Sequence, residues 1–346
     1  MAGKKQHYIP RLLLRGFKIP GQKAELVVRY RVGLPRRQVS IDDICHGKFF
    51  YSNFTDTSLD DEITGEESAV FGPALDAVRK GTDVDEKVLR RFIVHLMLRT
   101  EAARSNIDAF AKSAGQGFID AVSDKDIVAR MVSGGAIDIK KTSKQALDEQ
   151  LKKIGKSLPR DQRLRIQKHA EDYLRNHIGQ AAAFVADTAA QFLPDKMADR
   201  LSGERIQKEA LAQDVAPSKR VSSLDRMKLT IMDYDASKPL ILGDDPVLAF
   251  LEDGTVTRAF MPLNKPEAHV LPVTPSRAIL LHSGPMDFLR SAQVLNEASA
   301  TLSHQQFVAR TAMPAFTELA ELIGSYRDPF LEVNWKNVAS GQAHWD

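Results

Sequence analysis

Apolar positions recur at steps of three and four along several stretches of the chain, the spacing that lines one face of a helix. Leu89, Phe92, Leu96, Thr100, Ala103, Ile107 and Phe110 form one such stripe, with Asp83 or Asp85 placed to cap it. A helix is also predicted from Asp60 to Lys80, where Leu59, Ile63, Val70, Leu75 and Val78 fall roughly along one side. The longest helical pattern runs from Arg160 to Phe192, with Ile166, Ala170, Tyr173, Ala181, Phe184 and Phe192 near one face and Leu193-Pro194 as its stop. Residues 114–160 look looser, and residues 200–224 read as a polar helix and a loop around Pro217. A short helix from Pro10 to Phe17 is broken by Pro20-Gly21.

The period shortens elsewhere. Glu25–Val32 and Arg37–Ile41 read as strands joined through Gly33-Leu34-Pro35, a hairpin. Met227–Met232, Leu240–Leu242, Val247–Phe250, Val256–Phe260, His269–Val273 and Arg277–His282 read as short strands, followed by helices at Asp287–Arg310 and Pro314–Ser325. The fold class expected is α+β: a mixed or antiparallel sheet made from the N-terminal hairpin and the C-terminal strands, with a helical middle. The organisation expected is residues 1–113, a helical insertion at 114–225, and residues 226–346, the first and last forming one compact unit.

Charge changes the picture more than composition does. The net charge of +3 over 346 residues is unremarkable, but residues 1–37 hold ten Lys and Arg against one acid, and residues 38–76 hold nine acids against Lys48. Either the two segments neutralise each other, or a basic surface for phosphates lies beside an acidic pocket for a metal ion. A further basic stretch, Lys140–His177, reads as a solvated helix face. The longest apolar run is six residues, Ala181–Ala186, too short to span a membrane. With one cysteine, Cys45, and no secretory pattern at the N-terminus, a reduced cytoplasmic location is expected. No phosphate-binding Gly-rich loop, dinucleotide fingerprint, His-Glu-x-x-His or Gly-x-Ser-x-Gly elbow occurs.

Several short motifs stand in a recognisable order: Gln6-His7-Tyr8-Ile9-Pro10-Arg11, Leu98-Arg99-Thr100, Gly243-Asp244-Asp245-Pro246, Leu271-Pro272-Val273-Thr274-Pro275 and Leu295-Asn296. This order resembles the bacterial domain of unknown function 4238 family. The resemblance matches His7, Tyr8, Pro10, Arg99, Asp244, Pro246 and Asn296, and it pairs His7 with the Asp244 loop in one site. Gly243 stands where that family usually has serine, and Asp245 where it usually has asparagine.

Each of these residues has a chemical and a structural reading. His7 is a general base, a metal ligand or a phosphate donor, or else a capping residue. Tyr8 packs or hydrogen-bonds a site group. Arg99 offers a guanidinium fork to phosphate, or pairs with an acid such as Glu67. Asp244 and Asp245 share a hard cation, or form a turn before Pro246. Glu67 completes a metal set or is a solvated helix acid. Asn296 orients a ligand or caps a neighbouring element.

The leading expectation is a metal-dependent phosphodiesterase, a nuclease of bacterial defence or toxin biology. It has His7, Arg99 and Asp244 as catalytic residues, Mg²⁺ or Mn²⁺ on Asp244, Asp245 and Glu67, and Tyr8, Arg11 and Asn296 as ligand contacts. The alternatives are a non-catalytic nucleic-acid or nucleotide binder and a protein-interaction module docking through the helical middle. Open acids favour the first; acids neutralised by Arg and Lys favour the second.

Overall fold

A computed structural model describes the chain except for residues 1–4, 53–55, 134–138, 154–156, 177–201, 261–264 and 328–346. It divides into two compact units, one of Met1–Asp108 with Gly203–Leu331 and the other of Ala109–Ser202 with Glu332–Asp346. The fold is α+β with antiparallel sheets.

The first unit opens with β1 (Lys5–His7), α1 (Arg11–Leu14), β2 (Leu26–Arg31), β3 (Leu34–Ser40) and β4 (His46–Lys48). Helices α2 (Ser58–Glu66), α3 (Gly72–Lys80) and α4 (Glu86–Arg99) follow, and α5 (Glu101–Val122) begins after Thr100. The second unit holds α6 (Lys125–Ser133), α7 (Ile139–Lys153) and α8 (Arg160–Asn176), with α7 against α8. The first unit resumes with α9 (Gly203–Gln213), α10 (Ser218–Leu224), β5 (Lys228–Asp233), β6 (Leu242–Gly243), β7 (Leu248–Phe250), β8 (Val256–Arg258), β9 (Ala268–Thr274) and β10 (Arg277–His282). It ends with α11 (Ala292–Leu302), β11 (Phe307–Ala309) and α12 (Pro314–Leu319).

The N-terminal hairpin joins C-terminal strands in a four-stranded sheet of order β3-β2-β11-β6, while β5-β10-β9-β7-β8 form a five-stranded sheet and β1 pairs with β4. Strand β9 is buried almost throughout because both its faces are covered. Leu271 and Val273 enter the largest core with Ile279 and Leu281, whereas Val270 and Ala268 enter a second with Leu280 and Leu295. Strand β2 does the same, sending Val27 one way and Val28 and Tyr30 the other.

Several elements differ from the sequence expectation, and residues 114–160, expected to be looser, carry the end of α5 together with α6 and α7. The single helix expected over 60–80 contains a π-helical turn at Glu67–Phe71, just before Gly72-Pro73; proline lacks the N–H that would continue the α ladder. The helical stripe through Leu89 and Phe110 breaks at Thr100, whose backbone is extended and whose hydroxyl accepts from Ala103 N–H at 3.0 Å. The hairpin turn lies at Val32-Gly33, so β3 starts earlier, at Leu34, and includes Pro35, which an edge strand tolerates. The helix expected through Arg310 stops at Leu302, and β11 takes its place. In the second unit Ile166, expected on the apolar face of α8, is exposed. The continuation of that helix to Phe192 lies outside the described residues. Among the described residues no helix is long and apolar enough to cross a membrane.

Candidate functional site

Arg99 is the last residue of α4, a helix capped at its start by the Asp85 carboxylate, which accepts from Lys87 N–H at 2.9 Å and Val88 N–H at 3.3 Å. The arginine is 2% exposed. Its Nε donates to the Tyr51 hydroxyl at 3.1 Å, and its Nη1 donates to His95 Nε2 at 2.7 Å and to the Glu67 carboxylate. Its Nη2 donates to the His7 carbonyl. Four of five guanidinium N–H groups are used this way, so the fork is closed around protein acceptors. Glu67 reaches it from the π-helical turn, a local widening found often at functional sites.

His95 is fully buried, and its Nδ1 lies 2.9 Å from the Val215 carbonyl. A carbonyl only accepts, so Nδ1 carries the proton and Nε2 takes the Arg99 N–H. Burial pushes the imidazole down to about 4, which keeps it neutral beside the guanidinium.

His7 lies on the same wall as Arg99, at the end of β1. Its Nε2 is 3.1 Å from the Ile41 carbonyl, and its ring stands edge-on to His46, opposite it in the β1–β4 ladder. By the same reasoning Nε2 donates and Nδ1 remains an acceptor. Burial holds this histidine down to about 4, with the Ile41 carbonyl working the other way. Its neighbour Gln6 is buried and ties β1 to the chain after β4: its Oε1 accepts from Tyr51 N–H at 2.6 Å and its Nε2 donates to Ser52.

A polar cleft of about 340 Å³ opens here and is lined by His7, Arg11, Glu67 and Arg99, together with Lys5, Arg15, Asp60 and Asp61. Of the residues singled out from sequence, the first four therefore share one cleft. Its outer cations carry surface acids: Lys5 meets Asp43 at 2.6 Å, Arg11 meets Asp42 at 2.8 Å and Arg15 meets Glu25 at 3.0 Å. All six side chains are at least two-fifths exposed, and such pairs are weak and readily exchanged. Asp60 is half-buried, and burial raises its carboxyl above the ordinary value.

Tyr8 is buried on the other side of the extended chain, against Phe50, and burial raises its phenol far above the ordinary range. Cys45, which hydrogen-bonds it, is also buried, and its Sγ accepts from Gln306 Nε2 at 3.6 Å. Burial raises the thiol as well, which disfavours the thiolate needed of a nucleophile.

The Asp244 loop is a structural latch. Asp244 is 1% exposed; its Oδ1 accepts from His304 N–H at 2.6 Å, and its Oδ2 from Gln305 N–H at 2.9 Å and Gln306 N–H at 3.1 Å. Burial pushes its carboxyl up to about 7, opposed by these three N–H groups. Asp245 accepts from Arg258 Nη1 at 2.7 Å, with both side chains buried. Asn296 on α11 accepts from Ile241 N–H at 3.0 Å and donates to the Pro239 carbonyl at 3.0 Å, pinning the approach to β6. Asp244, Asp245 and Asn296 are absent from the lining of the His7 cleft. Among the described residues no three His, Cys, Asp or Glu side chains are grouped to hold a metal ion.

Sequence comparison agrees with the motif order. The family model described as protein of unknown function (DUF4238) matches residues 5–306. The chain belongs to the DUF4238 family. No curated protein and no solved structure matches it. The two departures of this DUF4238 member from the usual loop have local partners. A side chain at Gly243 would put its Cβ 2.7 Å from Ser303 Oγ and 2.9 Å from the Ser299 carbonyl, so α11 has taken that space. The added charge of Asp245 meets Arg258.

Sequence reading did not single out Tyr51, Lys5, Asp60 or Asp61 for this wall. The available signal for the last three was the abrupt change of charge sign between residues 1–37 and 38–76.

Proposed function

We propose that the His7 cleft binds a phosphate-bearing ligand, such as a nucleotide, without catalysing its cleavage. The observation that carries this reading is the engagement of every acid expected to hold a metal: Glu67 by Arg99, Asp245 by Arg258, and Asp244 by three backbone N–H groups. The cations differ. Lys5, Arg11 and Arg15 are solvent-exposed at the cleft and hold weak partners that a phosphate replaces at small cost. Arg99 acts as a positioning residue: it fixes the His7 backbone, Glu67 and Tyr51, and so the shape of the floor.

One observation favours the metal-dependent phosphodiesterase instead. Asp60 and Asp61 share the cleft with His7, whose Nδ1 is free of the proton and so able to accept one. Calorimetric titration with ATP, in chelator and in Mg²⁺ or Mn²⁺, separates the two when run beside an oligonucleotide cleavage assay. Binding that persists in chelator, without cleavage, and that is lost in a Lys5→Gln/Arg11→Gln variant supports the proposal. Metal-dependent cleavage abolished by Asp60→Asn, or no phosphate ligand bound at all, overturns it.

A further inference from the structure

A second concentration of positive charge, none of it lining the cleft, lies on the β2–β3 hairpin. Leu26–Ser40 carry Arg29, Arg31, Arg36 and Arg37 and no acid. The ladder sets Arg29 directly opposite Arg37, and Arg31 opposite Leu34 beside the turn. Side chains alternate across a strand, so Arg29 and Arg31 share one face of the hairpin, and Arg37 faces them from the partner strand. Like charges directly opposite in a ladder are destabilising. Among the described residues none of these four arginines makes an ion pair with an acid. One acid, Glu321, lines a groove with Arg31 and Arg36. Arg29 is held below its ordinary value by burial and then by Arg31 and Arg37, which is what an uncompensated cluster does.

Charge on an edge strand is one device against sheet-to-sheet aggregation. That accounts for Arg36 and Arg37 on β3, which is the sheet edge. It does not account for Arg29 and Arg31 on β2, an interior strand that gains no such protection. An external anion would relieve the repulsion. The choice of four arginines and no lysine suits phosphate, which the guanidinium fork grips in two places. The arrangement is a row: Arg29 and Arg31 are two residues apart, about 7 Å along a strand, with Arg37 beside them. A row tracks a linear polyanion, whereas cations gathered round a tip suit a lipid surface. The tip itself exposes just Val32 and Leu34 about the positive-φ Gly33, too small an apolar surface to stand for membrane insertion.

We propose that the β2–β3 hairpin is a nucleic-acid contact, with Arg29, Arg31, Arg36 and Arg37 gripping the phosphate backbone without reading its sequence. This goes beyond the cleft reading and does not depend on it.

The test is fluorescence anisotropy of the full chain with labelled single-stranded DNA, duplex DNA and single-stranded RNA of mixed sequence, over a salt series. A triple variant, Arg31→Gln/Arg36→Gln/Arg37→Gln, changes exposed or half-buried side chains. The proposal expects it to bind at least about tenfold more weakly, and the slope of log affinity against log salt to fall by about 0.7–0.9 for each lost phosphate contact. The matching Lys triple keeps most of that slope, because charge is retained. ATP binding at the cleft is unchanged in the Gln triple, so failure of one reading is visible without failure of the other. An unchanged salt slope in the folded Gln triple overturns the proposal. So does a wild-type chain that binds none of the three nucleic acids, whether or not it binds phosphatidylserine vesicles.

Discussion

The wall of the His7 cleft and the loop after β6 both set carboxylates among hydrogen-bond donors, yet they differ in what is left facing solvent. At the loop, Asp244 and Asp245 are buried, and the three amides held by Asp244 form the turn between α11 and β11. At the cleft, the buried Arg99–Glu67–His95 set forms a floor, and Lys5, Arg11 and Arg15 remain at the surface above it. A carboxylate that organises three backbone amides builds a fold. Exposed cations around a fixed floor leave charge facing solvent.

The contrast is broken most severely through Arg99. Arg99→Met removes the donor to Glu67, His95, Tyr51 and the His7 carbonyl together, and breaking a buried ion pair from one side costs about 3–5 kcal/mol. Urea denaturation should show a loss in that range with the slope retained; a loss below about 1 kcal/mol contradicts the floor described here. Arg99→Lys should recover part of it at most, since lysine keeps the charge and loses the fork.

Asp244→Asn comes next. The amide keeps the shape but turns an N–H₂ toward backbone N–H groups, at a cost of about 2–3 kcal/mol. Binding of ATP at the cleft should be unaffected in the folded variant. If stability is unchanged while ligand binding collapses, the loop is a site and not a latch.

His95 supplies a pH test. Its folded value of about 4 lies below its ordinary 6.5. Between these values the unfolded chain takes up a proton that the native chain refuses. This contribution to stability is therefore full above pH 6.5 and is lost as pH falls towards 4. His95→Gln stays neutral, so its stability should fall less steeply over that window, by up to about 1.4 kcal/mol per pH unit. Parallel curves for the two proteins would mean that His95 is not held neutral by burial.

The smallest stability effect belongs to the cleft rim. Arg11→Gln removes an exposed pair with Asp42 and should change stability by less than about 0.5 kcal/mol, while weakening phosphate binding several-fold.

Local pattern made the hairpin, α3, α4 and β10 legible, because each shows its period within its own residues. The end of α11 was not legible. The turn that follows it is held by the Asp244 carboxylate, which accepts from amides sixty and more residues further along the chain, and no helical period reports a contact of that kind. His7, Arg99 and Glu67 were legible as candidates because their side chains are chemically rich. Their meeting in one cleft depends on β1 pairing with β4 and on the π-helical turn of Glu67, both tertiary outcomes. Asp244 and Asp245 invited a metal because adjacent acids before a proline look the same whether their partners are a cation, an arginine or backbone amides.

The most direct test of the account is to map ATP binding by the amide NMR shifts of the labelled full chain, in chelator. Perturbations are expected only in Lys5–Arg15 and Asp60–Ser68, around the cleft, with the amides of residues 241–246 and 304–306 unmoved. Perturbations centred on the Asp244 loop, with the cleft silent, would contradict it.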